Sequence, residues 1–580
     1  MLYTRLCRLL AMLFVVLISD SAEIGAVEER KPQGPIPIAQ FSEKPIVVQD
    51  HVGRLLGFSM RTVDGTQEVV FRVSEDEGHT WSDNEVALRL SPEPGGWGGP
   101  EVLVDNEGRT HLFFLNDAHT GVITTGEDRP KRVSGERRLD IWHTKSGSRE
   151  GEWETPKKIW EGYTGALNSV IQMSNGRILL PFSYRTSRNW GNRGEGLDTF
   201  TFRGQFDSTL VYSDDGGDTW HLSPSKLKTP VPDITAAYGA VEPVVLELED
   251  GRVWMLIRTQ MGRFYESFSK DGIEWPTPTP SNLICSDSPA GLARLADGCI
   301  VLLWNKCLRF PYAYGGRHVL HAAVSEDEGK TWRGHREVAR DPLRDEPPPP
   351  TGDHGTAYPF PTALVSGKVV FTTGQGEGRV ACMLLDPEWL YETRQAADFS
   401  SGLDDSCVFG TKGLDLVPHP EKPDSRVLAV RKTHPDWPAA AVWNFPSGAK
   451  GELKLRIVAR PGFAGARIGL TDHFSVPFDE EDECHNLFNL RLTGGGQPGE
   501  GISLTPDSWH EIDLRWNCDE GKCEVLLDGE RATTFRQQRT SEGICYLRVV
   551  STAKETDEAG VLIESVEVDV SEAWVNPDRH

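Results

Sequence analysis

One short pattern, repeated along the chain, limits what the chain can fold into. Ser74-Glu75-Asp76-Glu77-Gly78-His79-Thr80-Trp81, Ser213 to Trp220 and Ser325 to Trp332 share the form S-x-D-x-G-x-T-W, and Ser269-Lys270-Asp271-Gly272-Ile273-Glu274-Trp275 is one residue shorter. The pattern has the chemistry of a hairpin turn. Ser and Asp oxygens accept hydrogen bonds from turn backbone, Gly supplies a positive φ, and Trp packs under the next strand. Its role is structural, so function must be sought elsewhere.

Asp215, Asp271 and Asp327 are evenly spaced, whereas Asp76 to Asp215 is about two and a half times that interval. The gap leaves room for one more unit with a decayed box around Thr144 to Trp153. Turn-like glycines followed by apolar, β-rich segments give an independent count: Gly53 (GRLLGF), Gly108 (GRTHLFF), Gly176 (GRILLPF), Gly251 (GRVWMLI), Gly298 (GCIVLLW) and Gly367 (GKVVFTT). Six such hairpins predict a six-bladed β-propeller over residues 35–392. From Ala397 the texture changes to period-two runs such as Leu453 to Val458 and Ser508 to Trp516 between glycine-rich turns. Such alternation predicts an antiparallel β-sandwich over 397–572, and Trp509 to Gly529 looks like strands of a concanavalin-type jelly roll. The expected fold class is all-β throughout.

Composition narrows the class of partner. At 580 residues and 38% hydrophobic content the chain has ample material for two cores, and its net charge of -25 argues against nucleic acid or an anionic membrane surface. An anionic ligand would have to be held by a local cluster of arginines. Residues 1–26 read as a secretory signal, with Arg5 and Arg8 before the apolar run Leu9 to Ile18 and Ala22 or Ala26 for cleavage. That run is too short to span a bilayer, so an exported protein, periplasmic or extracellular, is expected, with a signal anchor as the alternative.

Ten cysteines show no zinc-like spacing. Cys518 and Cys523 flank a turn, which leaves two readings open: a bridge across two strands or two free buried thiols. The acidic stretch Asp479 to Glu483 admits calcium, with a solvated loop as the plainer reading.

Propeller topology predicts which residues meet. Starts of first strands, ends of second strands and starts of third strands lie on one face of the ring. Blade four places Glu242 and Arg258 there, blade one Lys44 and Arg61 with Asp64 just beyond, blade five Asp287, Asn305 and Arg317, and blade six Tyr358 and Gln375. Each alone reads as a solvated or rim residue. Their joint placement on one face points to a ligand.

On these boxes, hairpins and the segment Glu242 to Trp275, residues 40–392 resemble the sialidase (neuraminidase) superfamily. The resemblance implies an exported retaining exo-glycosidase that removes terminal sialic acid or a related acidic sugar from a glycan, with no metal or organic cofactor. By position, Arg258 and Arg317 resemble two members of the family's carboxylate-binding arginine triad, Glu242 the residue that activates tyrosine, Tyr358 the nucleophile, Arg61 an extra arginine and Asp64 the acid/base. The family's first triad arginine is replaced, since the corresponding stretch reads Glu43-Lys44-Pro45-Ile46. A guanidinium grips a carboxylate through two charge-assisted bonds that an ammonium cannot reproduce. A neutral tyrosine avoids repulsion from that carboxylate but needs a base to take its proton. Two rivals remain: a hydrolase or lyase of this type for another sugar, and a propeller that binds glycans without cleaving them.

Overall fold

A computed structural model describes residues 34–572, apart from 40, 42, 92–95, 121–122, 127–128, 134–135, 148–151, 193–199, 232–238, 309–315, 345–353, 401, 404–406, 410–412, 477–480, 495–500 and 542; side chains are also left out of account at 118–137, 187–204, 404–412, 481 and 572. The expected secretory segment lies outside these residues. No described helix is long and apolar enough to cross a membrane.

Six four-stranded antiparallel sheets form the blades. Blade one comprises Ile46–Gln49, Leu55–Val63, Thr66–Ser74 and Glu85–Arg89; blade two Trp97–Val104, Thr110–Thr120, Glu136–Lys145 and Lys157–Trp160; blade three Ile171–Gln172, Ile178–Asn192, Phe200–Ser213 and His221–Leu222. Blade four comprises Val241–Glu247, Val253–Arg258, Arg263–Ser269 and Thr279–Ile284; blade five Gly291–Arg294, Ile300–Trp304, Val319–Ser325 and Arg333–Arg340. Blade six takes three strands from Phe360–Ala363, Val369–Thr373 and Ala381–Leu385 and its outermost from Ile36–Ala39, at the other end of the propeller sequence. That pairing closes the ring, with Ile36 opposite Leu384 and Pro37 opposite Met383.

Strand alternation explains why the blades need one another. In blade five, Ile300, Leu302 and Trp304 pack into the core shared with blade four, while Val301 and Leu303 pack toward blade six. In blade two, Leu112 and Phe114 face blade one and Phe113 faces blade three. Each sheet is therefore apolar on both faces, and its second strand reads as a continuous hydrophobic run. The remaining joints are filled by Leu179 with Met255 between blades three and four and by Val47 with Val370 between blades one and six.

The boxes do what their chemistry predicts. Asp76 Oδ1 accepts from the Thr80 amide at 2.8 Å and Oδ2 from the Thr80 hydroxyl at 2.7 Å, the Gly78 amide donates to Ser74 Oγ at 2.8 Å, and Trp81 Nε1 donates to the Gly78 carbonyl at 2.8 Å. The box at Asp215 repeats the Ser and Thr bonds. The Thr80 and Thr219 hydroxyl and amide donors bring the Asp76 and Asp215 carboxyls down to about 2. Their contribution to stability is thus present above the ordinary value of 3.8 and is lost as pH falls toward 2.

The second half is a β-sandwich. Its larger sheet runs in the order Leu414–Pro418, Arg426–Lys432, Asp557–Glu572, Lys450–Ala459, Trp509–Asn517, Lys522–Leu527, Glu530–Arg536, with Arg394–Ala397 on the long strand Asp557–Glu572. The facing sheet is Cys407–Phe409, Ala440–Gly448, Ile544–Ser551, Ala466–Thr471, Phe488–Gly494 and Ile502–Leu504. Its last pair is parallel, a departure from the expected all-antiparallel sandwich. Cys518 and Cys523 are free thiols: Cys523 stands opposite Trp516, so the register carries Cys518 past the strand end, and burial pushes both thiols up to about 12. Part of the acidic stretch lies outside the described residues. Within the rest, Asp482 faces His473 at 3.4 Å and Glu483 pairs with Arg467.

Blade five docks on the sandwich through a buried polar chain. Tyr546 donates its hydroxyl proton to Glu337 at 2.6 Å and accepts from His321 Nε2 at 2.6 Å, while His321 Nδ1 accepts from the Lys306 amide at 3.2 Å. This pattern requires neutral His321 with the proton on Nε2, in keeping with burial and the Lys306 charge holding its pKa well below the usual value. Asn444 ties the same joint, accepting from the Glu337 amide at 2.9 Å. Tyr546→Phe removes one hydroxyl and strands two buried partners. It should cost about 1–3 kcal/mol in urea denaturation, and a change under 0.5 kcal/mol would mean that water replaces the chain.

Candidate active site

The mouth of the ring holds a cavity of roughly 650 Å³ lined by residues of blades one, two, three, four and six, among them Lys44, Glu101, Glu242, Arg258, Tyr358 and Gln375. Its central group is a triangle. Tyr358 donates its hydroxyl proton to Glu242 Oε1 at 2.8 Å, Arg258 Nη1 donates to the Tyr358 oxygen at 3.0 Å, and the same Nη1 pairs with Glu242 Oε2. On its other edge Arg258 Nε donates to Asp287 Oδ1 at 2.6 Å, and Gln260 Nε2 donates to that oxygen at 3.1 Å. Asp287 Oδ2 is buried without a hydrogen-bond partner among the described residues.

Local backbone geometry serves this cluster. Glu242 and Tyr358 take φ of 47° and 60°, left-handed values that cost a non-glycine residue about 1–3 kcal/mol each. Both occur where a first strand begins, so the chain turns sharply there and aims the side chain at the axis. The Glu242 amide donates to Ser183 Oγ at 3.2 Å. Gly165 makes room beside it: a Cβ there would stand 2.7 Å from Ser183 Oγ and 3.4 Å from Glu242 Cγ.

Burial works against the Arg258 charge, and Asp287 and Glu242 outweigh it, so its pKa is raised well above the ordinary value. Burial first, and then the Glu242 charge, push the Tyr358 phenol above its usual value, with Arg258 and Arg317 opposing. The phenol is therefore neutral at rest. Arg317 lies beside it, with its guanidinium carbon 5.7 Å from the ring centroid, and donates to Gln375 Oε1 at 2.9 Å and to the Asp287 carbonyl at 2.8 Å. Lys44 Nζ donates to the Tyr358 carbonyl at 3.2 Å and lies 4.8 Å from the Phe360 centroid. Burial brings its pKa down to about 8 against the charges of Glu101 and Glu242.

The structure thus brings together Glu242, Arg258, Arg317 and Tyr358 and leaves Arg61 and Asp64 apart from them. Arg61 stands directly opposite Glu68 on the neighbouring strand and is held by it at 2.9 Å. Asp64 is exposed at the tip of the same hairpin, between Val63 and Thr66, and does not line the cavity. Two residues of the site carried no role in the sequence reading. Asp287 was placed at the mouth without a partner. Glu101 was missed because it lies inside the first strand of blade two, Trp97–Val104, beyond the start that the strand-start rule considers.

The family model for a BNR repeat-like domain matches residues 53–370, more than half of the chain, and the chain belongs to that family. A sialidase from Micromonospora viridifaciens is 24% identical over an alignment of 331 residues that covers 52% of this chain and 45% of that protein; the chain thus spans less than half the length of this relative. Among solved structures, a protein of unknown function from Dyadobacter fermentans aligns with a TM-score of 0.43 at 17% identity, covering 61% of this chain and 98% of that one. A Trypanosoma rangeli sialidase aligns with a TM-score of 0.38 at 13% identity, covering 92% of each chain.

The shared guanidinium makes a direct stability test. Arg258→Ala leaves Glu242 and Asp287 buried without their common counter-charge and should destabilise the propeller by about 3–5 kcal/mol in urea denaturation. A loss below about 1 kcal/mol would mean that the two carboxylates do not depend on Arg258.

Proposed function

From membership in the BNR repeat-like family together with this cluster, we propose that the protein is a sialidase-like retaining glycoside hydrolase in which Tyr358 is the nucleophile and Glu242 its base. The observation that carries the reading is the Tyr358–Glu242–Arg258 triangle. As the phenol attacks the anomeric carbon, its proton passes 2.8 Å to Glu242, and the oxygen keeps the Arg258 hydrogen bond during the transfer. A phenol with a raised pKa reacts only with the base in concert, which is the service Glu242 is placed to give. A glycan-binding propeller without catalysis has no use for such a strained and buried arrangement.

The substrate proposed is a terminal sugar bearing a carboxylate, with sialic acid first among candidates and Arg258, Arg317 and Lys44 on the side that would receive the acid group. A specific observation also favours another sugar of this kind. Lys44 stands where an arginine fork is expected, and Arg258 is already engaged by two carboxylates. An ammonium offers a point charge, so the acid need not sit on the anomeric carbon. Export through the amino-terminal segment is part of the same proposal and would bring the enzyme to extracellular or periplasmic glycans.

Turnover of a fluorogenic sialoside against a panel of neutral and uronic-acid glycosides tests the reading. Glu242→Gln should lower kcat by about 10²–10⁴-fold. Tyr358→Phe should abolish the covalent adduct that a fluorinated sugar leaves on the peptide containing Tyr358, read by mass spectrometry. Absence of turnover across the panel in the wild type would return the protein to the glycan-binding reading.

A further inference from the structure

We propose that Glu101 is the second catalytic carboxyl of this site: as the neutral acid it protonates the departing glycosidic oxygen, and as the carboxylate it takes a proton from the incoming water. This rests on the glycosidase reading above, which needs a proton donor that Tyr358, Glu242 and Arg258 do not supply.

Among the described residues the cavity is lined by two carboxyl side chains, Glu101 and Glu242. Glu242 is committed to the Tyr358 proton and to Arg258. Asp287 is held by Arg258 and Gln260, and Asp64 is exposed at a hairpin tip outside the cavity. Glu101 is uncommitted: its carboxyl makes no hydrogen bond with a described residue, and the residue is 6% exposed. On the first strand of blade two it stands opposite Phe113, the register position that Val244 holds opposite Leu256 in blade four, two residues further along the strand than the place of Glu242. The register slips at both points, between Gly98 and Glu101 and between Val241 and Val244.

Its surroundings favour the acid form. Phe113 stands opposite it on the next strand, and Ile46, Phe58 and Leu115 line the cavity beside it. The charges facing it are Lys44 from blade one and, in the same cavity, Glu242 with Arg258 from blade four. Burial raises the Glu101 carboxyl to about 8 against the pull of Lys44, so it carries its proton at neutral pH. A buried neutral carboxyl open to a ligand cavity is the state an acid catalyst requires.

The steps balance. The bond from the Tyr358 oxygen to the anomeric carbon forms as the phenol proton moves to Glu242, and the bond to the leaving oxygen breaks as that oxygen takes the Glu101 proton. Water then attacks the same carbon and gives its proton to Glu101, while the Tyr358 oxygen leaves and recovers its proton from Glu242.

Acid catalysis has a signature that a structural role lacks, namely dependence on the leaving group. Glu101→Gln should slow hydrolysis of an alkyl glycoside, chosen from whichever sugar the wild type accepts, by about 10²–10⁴-fold. The 2,4-dinitrophenyl glycoside, which needs little protonation, should lose less than about tenfold in its glycosylation step. The wild-type rate should fall on the alkaline side near pH 8, and this limb should vanish in Glu101→Gln. Lys44→Met removes the charge that holds the Glu101 pKa down, so the limb should move to higher pH; this variant keeps the test open if Glu101→Gln fails to fold. Equal slowing of both leaving groups, or an alkaline limb unmoved by either substitution, overturns the assignment while leaving Tyr358 and Glu242 untouched. Failure of the wild type to cleave any glycoside overturns the glycosidase reading itself.

Discussion

Each blade is a sheet with no face for water. Trp254 and Val253, adjacent on one strand, are both fully buried, one against blade five and the other against blade three. A four-stranded sheet of this kind exposes too much apolar surface to persist alone, at about 25 cal/mol for each Å² left in water. The ring is the arrangement that covers both faces of every blade, and Ile36–Ala39 removes the last open joint by pairing with Ala381–Leu385. Once the ring closes, the first strands converge on the axis, and the side chains at their mouth ends have no choice of neighbour. Glu101, Glu242 and Tyr358 line one cavity because hydrophobic burial elsewhere forces their strands together.

What meets at the axis is charge, and burial makes its balance exacting. Glu242 carried alone into that cavity would be costly, and so would Asp287 or Arg258. Together they form a chain in which one guanidinium serves two carboxylates while leaving a bond for a phenol. A buried ion pair of this kind contributes little net stability relative to an apolar core. Its presence, along with left-handed φ at two non-glycine positions, indicates that the mouth has been shaped for something other than stability.

Blade number, box chemistry and the mouth positions of Glu242, Arg258, Arg317 and Tyr358 were legible because they follow from strand periodicity and from turn residues that recur. Ring closure was not, since nothing in the short segment Ile36–Ala39 tells which of many unpaired edges it will complete. The placement of Arg61 and Asp64 shows a different limit. The strand-end rule locates a backbone, and the hairpin runs on to Val63 and Thr66, so Asp64 ends beyond the cavity. Arg61 then takes the partner directly across the ladder, Glu68, as cross-strand geometry allows.

Glu101 went unassigned, and the titration of Lys44 unforeseen, for a reason rooted in electrostatics. A sequence displays residue types, and a glutamate reads as a charged surface residue until its surroundings are known. In the fold, Phe113 and the apolar walls of the cavity turn Glu101 into a neutral acid, and the same burial weakens the hold of Lys44 on its proton. Each opposes the other's shift, so the protonation of one is set partly by the other. A lysine at this place therefore differs from an arginine in more than its lack of a fork of donors. An arginine stays charged under any burial found in proteins, whereas a lysine beside a buried acid joins its titration. The pairing of Lys44 with Glu101 makes the charge of the mouth respond to pH near neutrality, and it couples the protonation of two residues that line the same cavity.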